Sequence, residues 1–282
     1  MNLNTITEVK RPASAKEIVE WQPGYAWLAG GTWLFSEPQV ETHTLIDLEK
    51  LGWPALQASS AGLEVAATCR IVDLDTFAAP PEWRAAPLFS LCCRSLLASF
   101  KIWNAATVGG NICMSLPAGP MTSLMTALEG VYTLWPRSGA ARQVAAIDFI
   151  TGNNANVLAP GELLRSIALP ADALTKDFAF RRLSLTHLGR STALLIGTAC
   201  PRTGTVILTV TAATLLPIQF TFASAPSAEQ LRAAIDAKIP VELYLDDPHG
   251  SPAYRRHLTY YYAEQIRTEL LSKGSKGSKG AR

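Results

Sequence analysis

The stretch Ala106–Pro120, ATVGGNICMSLPAGP, decides the reading of this chain. The β-branched pair Thr107-Val108 leads into Gly109-Gly110 and Asn111, and a turn of Pro117, Ala118, Gly119 and Pro120 follows. Adjacent glycines after a strand-like run mark a backbone that something approaches closely, or one that needs positive φ. A second such place lies upstream. In WLAGGTWL, Trp27–Leu34, the pair Gly30-Gly31 stands between Ala29 and Thr32. Consecutive N–H groups with no side chains in the way form an anion-binding concavity. The hydroxyls of Thr32 and Thr107 and the amide of Asn111 add polar groups beside it. Two such loops meeting in space are suited to clamp a pyrophosphate, which points to a dinucleotide ligand.

The rest of the chain narrows the classes. Hydrophobic residues make up 48% and charged ones 17% of the 282 residues. This balance suits either a deeply buried core or apolar surface that belongs to a partner. A net charge of +2 without a basic cluster argues against a nucleic-acid footprint. The five cysteines (Cys69, Cys92, Cys93, Cys113 and Cys200) form no C-x-x-C, so no disulfide framework, zinc site or iron–sulfur site is expected. Reduced thiols in the cytoplasm are the simplest reading, and the first residues lack the apolar core of a signal peptide. The uncharged run from Thr203 to Ala228 is dense in threonine and broken by Pro217, which predicts two antiparallel strands and no membrane span. Neither G-x-x-x-x-G-K-[ST] nor G-x-G-x-x-G nor G-x-S-x-G occurs, and the histidines (43, 187, 249, 257) have no triad context. No catalytic and no metal-ligating residue is therefore expected. Asp73 and Asp75 are assigned to a solvated surface.

Along the chain, Ser14 and Glu17 suggest a capping box for a short helix with Ile18, Val19 and Trp21 on its apolar side. TLIDLEKL and GLEVAATC read as strands, and helices follow from Ile71 and through PLFSLCCRSLLASF. A helix through Leu128 turns at Gly130 into a strand from Val131, while ARQVAAIDFI and LLRSIALP read as strand and edge elements. Helices are expected at Ala228–Ala237 and Pro252–Ser272, with 273–282 a disordered Ser/Lys/Gly tail. The irregular mixture favours an α+β class, with a domain boundary near residue 173.

LAGGTWL at Leu28–Leu34 and TVGGNICMSLPAGP at Thr107–Pro120 resemble the two flavin-binding motifs of the medium subunit of molybdenum hydroxylases. That family includes the FAD subunits of xanthine and carbon monoxide dehydrogenases. KRPASAKEIVE, APGELLRSIALP and FAFRRLSL extend the resemblance over nearly the whole chain. It implies an FAD-binding domain of the vanillyl-alcohol-oxidase/PCMH-like type, residues 1–173, in two α+β subdomains of about 1–53 and 54–173. A small C-terminal α+β domain with an antiparallel sheet, residues 174–272, would follow. The implied cofactor is non-covalent FAD, with molybdopterin and [2Fe–2S] clusters on a large molybdenum subunit and a small iron–sulfur subunit.

The resemblance places Ala29, Gly30, Gly31 and Thr32 at the pyrophosphate, with Trp33 and Leu34 continuing that wall. Thr107, Gly109 and Gly110 would form the opposing loop, and Asn111, Ile112 and Cys113 would approach the ribityl chain or ring. Ala98 would fall near the adenine and Leu164 at the flavin edge. Either Arg181 or Arg182 would supply a basic residue near the ring. The chain departs from the family at Pro120, where an aspartate is common, and at Trp103, where arginine is. The implied activity is electron transfer from partner clusters through FAD to an external acceptor. Two other readings stay open: a free-standing FAD oxidoreductase of the same superfamily, or a structural subunit without flavin.

Overall fold

The computed structural model describes residues 3–18 and 21–277. Three strands, β1 (Glu8–Lys10), β2 (Tyr25–Leu28) and β3 (Thr44–Asp47), form a parallel sheet in the order β1-β3-β2. Parallel strands need crossover connections, and the second crossover, from β2 to β3, carries the first glycine loop. A five-stranded antiparallel sheet follows. Its members are β4 (Leu56–Ser59), β5 (Gly62–Ala66), β6 (Val131–Trp135), β7 (Arg142–Ala145) and, after the small β8–β9 hairpin (Ile150–Gly152 and Ala155–Asn156), β10 (Leu163–Pro170). The order is β4-β5-β10-β6-β7.

LLRSIALP is thus the central strand of its sheet and not an edge element. It pairs with both β5 and β6, and its inward residues Leu164, Ile167 and Leu169 are fully buried. A central strand shielded on both sides loses its alternating look.

Between β5 and β6 run α1 (Ile71–Asp75), α2 (Pro87–Cys93), α3 (Phe100–Trp103), α4 (Val108–Cys113) and α5 (Pro120–Ala127). Two short helices, α6 (Ala146–Phe149) and α7 (Ala171–Leu174), cap the same core. The antiparallel meander β11 (Asp177–Ser184), β12 (Ser191–Ala199), β13 (Val206–Thr211) and β14 (Ile218–Phe222) completes the sheets. The uncharged threonine-rich run is therefore a pair of antiparallel strands, and among the described residues no helix is long and apolar enough to cross a membrane.

Every residue of α5 is buried, because it lies between the first core and the meander. Its small polar side chains make that possible: Ser123 Oγ meets Thr211 Oγ1 at 2.6 Å, and Gln219 Nε2 donates to the Thr126 carbonyl at 3.1 Å. The opposite face of the meander carries α8 (Ala228–Lys238) and α9 (Pro252–Gly277). Covered on both faces, β12 is buried along nearly its whole length.

Two other expectations need correction. The segment after Ser14 is a single 3₁₀ turn, Ala15–Glu17, in which Glu17 takes both the Ala13 N–H and the Ser14 hydroxyl at 3.0 Å. No longer helix forms through Ile18, which is extended; Val19 lies outside the described residues. At the other end, α9 continues to Gly277, so the first residues of the stretch expected to be disordered are helical. Lys273 anchors that turn by donating to the Phe178 carbonyl and pairing with Glu269. Residues 278–282 lie outside the described residues.

Candidate functional site

The first glycine loop leaves β2 at Leu28 and winds into one helical turn, closed by Phe35 N–H donating to the Gly31 carbonyl at 2.8 Å. Gly31 has φ +68°, a conformation that disfavours side chains. Gly30 lies so close to the second segment that a Cβ would sit 1.9 Å from the Ala105 carbonyl oxygen. Among the described residues, the N–H groups of Gly30, Gly31, Thr32, Trp33 and Leu34 have no hydrogen-bond partner. Such leading N–H groups of a helical turn are the ones a ligand oxygen can take.

The second loop is built differently. Thr107 caps α4, its Oγ1 accepting from Gly110 N–H at 3.1 Å. Val108 N–H donates to the Cys69 carbonyl (2.8 Å), Gly109 N–H to Ala67 (2.9 Å) and Asn111 N–H to Thr107 (3.0 Å). The expectation that both loops offer consecutive free N–H groups therefore holds for the first loop only. The second loop's donors are engaged because it is stitched to the chain just after β5. Its glycines give close approach instead. A Cβ on Gly109 would lie 2.5 Å from the Ala67 Cβ, whereas one on Gly110 would meet only Thr107 Oγ1 and otherwise open space.

Two clefts meet at Gly110. One is apolar, lined by Trp27, Ala29, Leu48, Ala67, Cys113 and Leu164 beside Gly109 and Gly110. The other is more polar, lined by Thr32, Trp33, Thr107, Gly110 and Asn111 among others. Asn111 Oδ1 accepts from Met121 N–H at 3.0 Å, which leaves its amide NH₂ to donate. That bond ties the loop to the Pro117–Pro120 turn, whose Pro117 carbonyl accepts from Ala212 N–H of the meander at 2.9 Å. Pro120 begins α5 at its first position, where a missing N–H costs nothing.

Four of the sequence-derived residues fall elsewhere. Ile112 is fully buried in the core and lines neither cleft. Arg181 is held by Gln265 Oε1 (2.7 Å) and Glu269 (2.8 Å), and Arg182 by Ser191 Oγ (2.8 Å) and the Gly189 carbonyl (2.5 Å). Neither arginine lines a cleft, because β11 directs both into contacts within the meander and α9. Ala98 is half-buried beside Leu96 and Leu97 of the polar cleft without lining it. Leu34 stays on the first loop, where its N–H has no partner among the described residues and its carbonyl accepts from Gln39 Nε2 at 2.9 Å. Asp73 pairs with Arg70 on the surface, but Asp75 is not solvated. Its side chain is 10% exposed beneath Arg94.

Sequence reading missed Trp27, Leu48 and Glu162. Trp27 stands two residues before Ala29, within the quoted motif, so attention to the strand's last inward residue would have found it. Glu162 is buried on the apolar cleft and paired with Arg142 Nε (2.7 Å) and Nη2 (2.6 Å), while accepting from Ala159 N–H at 3.0 Å. Arg142 holds its carboxyl below the usual range, with the Ala159 N–H helping. A carboxyl depressed in the folded state stabilises fully above its unfolded value and loses that contribution as pH falls through the lower folded value. Glu162→Gln is expected to cost about 1–3 kcal/mol at neutral pH. The difference in urea-unfolding free energy between wild type and variant should shrink at pH below 4; an equal difference at both pH values would remove Glu162 from the account.

Residues 4–172 match the sequence family described as the FAD binding domain in molybdopterin dehydrogenase. The chain belongs to that family, and its cofactor is FAD. The carbon monoxide dehydrogenase medium chain of Afipia carboxidovorans is 35% identical over 88 residues, 31% of this chain and 30% of that one. Xanthine dehydrogenase of Oryza sativa subsp. japonica is 27% identical over 131 residues, 44% of this chain and 9% of that one. The chain thus aligns with less than a third of the length of these relatives. Among solved structures, carbon monoxide dehydrogenase from Hydrogenophaga pseudoflava superposes with a TM-score of 0.78 at 20% identity, covering 95% of this chain and 98% of that one. Quinoline 2-oxidoreductase from Pseudomonas putida 86 gives 0.75 at 18% identity, covering 95% and 97%. These likenesses establish the expected α+β, PCMH-like fold.

The residues present fit the cofactor. Among the described residues, five N–H groups on one loop have no hydrogen-bond partner, and a Cβ-free wall at Gly110 faces both clefts.

Proposed function

We propose that this chain is the FAD-carrying electron-transfer subunit of a multi-subunit molybdenum hydroxylase. One observation carries the reading: the two glycine loops abut at Gly30 and Ala105, and unpartnered N–H groups stand on one while Gly110 leaves the other wall open. In this reading, Gly30–Leu34 donate backbone N–H groups to the pyrophosphate, and Thr32, Thr107 and the Asn111 amide bind its sugar-side oxygens. The apolar cleft at Trp27, Ala29, Cys113 and Leu164 takes the tricyclic ring. Residues 1–173 act as the FAD-binding unit, and 174–272 as a C-terminal domain that braces the Pro117–Pro120 turn through Ala212.

The cofactor supplies the electron chemistry when bound; the chain holds it, excludes water from its apolar face and sets its surroundings. In this reading the electrons would come from [2Fe–2S] clusters on a small partner, supplied by a large molybdenum partner, and would go to an external acceptor. The five free thiols suit a reducing compartment such as the cytoplasm. Affinity purification from the native host should recover one iron–sulfur chain and one molybdenum chain with this one. Anaerobic addition of a hydroxylase substrate should bleach the flavin of that complex and leave the flavin of the isolated chain oxidised. Bleaching of the isolated chain would contradict the subunit reading.

The flavin is held without a covalent bond. Burial pushes the Cys113 thiol up to about 12, so it is a neutral thiol rather than a nucleophilic thiolate. Acid precipitation should release all the yellow colour into the supernatant. Colour retained in the pellet of wild type, and lost from the pellet of Cys113→Ala, would overturn this.

A further inference from the structure

The polar stretch TGNNANV, residues 151–157, runs through the β8–β9 hairpin and closes on the end of α4. A helix leaves its last carbonyls without partners of its own. Here the hairpin takes the carbonyls at that end. Asn154 N–H donates to the Ser115 carbonyl at 2.9 Å, Asn154 Nδ2 to the Met114 carbonyl at 3.2 Å, and Asn156 Nδ2 to the Cys113 carbonyl at 3.1 Å.

Asn156 reaches further than this cap. Its Nδ2 also donates to Ser115 Oγ at 2.8 Å, and its Oδ1 accepts from Leu158 N–H at 3.0 Å. The partners fix which end of the amide is which, since Leu158 N–H can only donate and the Cys113 carbonyl can only accept. Cys113 and Leu158 both line the apolar cleft, and Asn156 itself lines neither cleft. Among the described residues no direct hydrogen bond joins α4 to residues 158–164, so Asn156 is the polar link between these two parts of the cleft.

The link has firm footing at both ends. Val157 N–H donates to the carbonyl of the fully buried Phe149 at 3.1 Å, and the Val157 carbonyl accepts from Arg142 Nη2 at 2.9 Å, the group that also holds Glu162. Ser115 is fully buried at φ +52°, a conformation that persists only where the surroundings impose it.

A binding wall that is not held must be ordered by the incoming ligand, and affinity falls by that cost. Resting on the FAD reading above, we infer that Asn156 is a positioning residue for the flavin site: its amide sets the spacing of Cys113 and Leu158, and hence the shape of the cleft that takes the ring. It acts through these two residues and not by touching the cofactor. Aspartate is the most telling substitute, because it has nearly the same shape and keeps an acceptor for Leu158 N–H. A carboxylate has no hydrogen to give, so it sets an oxygen against the Cys113 carbonyl and breaks the α4 end of the link alone.

The test uses the full chain, stripped of flavin and titrated with FAD at neutral pH while the fluorescence of free FAD is followed. Three variants are compared with wild type: Asn156→Asp, Asn156→Ala and, as a charge control, Asn153→Asp on the exposed turn of the same hairpin. Both Asn156 variants should bind FAD about tenfold more weakly, the size of a lost hydrogen bond that leaves a partner unsatisfied. At saturating FAD their visible circular dichroism should differ from that of wild type, because the ring sits in an altered cleft. Asn153→Asp should stay within about twofold of wild type in affinity, its charge being screened by solvent, and should give the wild-type spectrum. Wild-type affinity in Asn156→Asp, or weaker binding with an unaltered spectrum at saturation, would overturn the inference and leave the FAD reading intact. A flavin-free Asn156→Asp that has lost its far-UV circular dichroism would also overturn it, since the residue would then hold the fold and not the cleft. Wild-type protein that takes up no FAD would overturn the FAD reading itself.

Discussion

Gly30→Ala is expected to pull the two glycine loops apart. The added Cβ would stand 1.9 Å from the Ala105 carbonyl oxygen and 2.8 Å from its carbon, and both are backbone atoms that no side-chain rotation can move. The loop must retreat by more than an ångström. Overpacking of this kind costs about 1–3 kcal/mol where neighbours can yield, and more where they cannot. A loss of about 3 kcal/mol or more in urea unfolding is expected, together with loss of FAD. The neighbouring Ala29→Gly, which adds nothing, serves as the comparison and should lower stability only slightly. Unchanged stability and flavin content in Gly30→Ala would mean that the loops do not abut.

Gly110→Asp should do the reverse: spare the fold and abolish flavin binding. Its Cβ would touch only Thr107 Oγ1, at 2.8 Å, and the rest of the side chain would enter the space shared by the two clefts. A carboxylate there meets the cofactor's phosphates in a partly desolvated site, where like charges repel strongly and salt screens poorly. A weakening of FAD binding by about a hundredfold or more follows from a repulsion of ~3 kcal/mol. Gly139→Asp adds the same charge in a hairpin turn with nothing within 4 Å of its Cβ; at φ +85° it should lose about 1 kcal/mol of stability but keep its flavin. Far-UV circular dichroism should be alike for both variants. A Gly110→Asp protein with full flavin occupancy would reduce the second loop to an ordinary turn.

The sequence showed where backbone must come close, but not what each glycine meets. Gly30-Gly31 and Gly109-Gly110 stood out because paired glycines after β-branched or apolar runs have few other uses. That one loop keeps its donors free while the other uses all of them depended on the Ala67 and Cys69 carbonyls, some forty residues upstream of Gly109. No local pattern encodes such a partner. Ile112 was assigned to the flavin by its place in the motif, yet a helical residue two positions from Gly110 does not share its face, and it packs in the core. Arg181 and Arg182 were matched by position in the chain, but β11 pairs with β12 and lies under α9, so their partners are Glu269, Gln265 and Ser191. Strand identity was legible from apolar runs, as for Val206–Thr211 and Ile218–Phe222. Strand order was not, since pairing of β10 between β5 and β6 joins segments about a hundred residues apart in one case.

The measurement that bears most directly on the central claim is an anaerobic absorbance titration of the flavin-free full-length chain with FAD. The account predicts saturation at one FAD per chain, with a structured visible band in wild type and no such band in Gly110→Asp at the same concentrations. Saturation that is equal in both proteins, or no uptake of FAD by wild type, would contradict it.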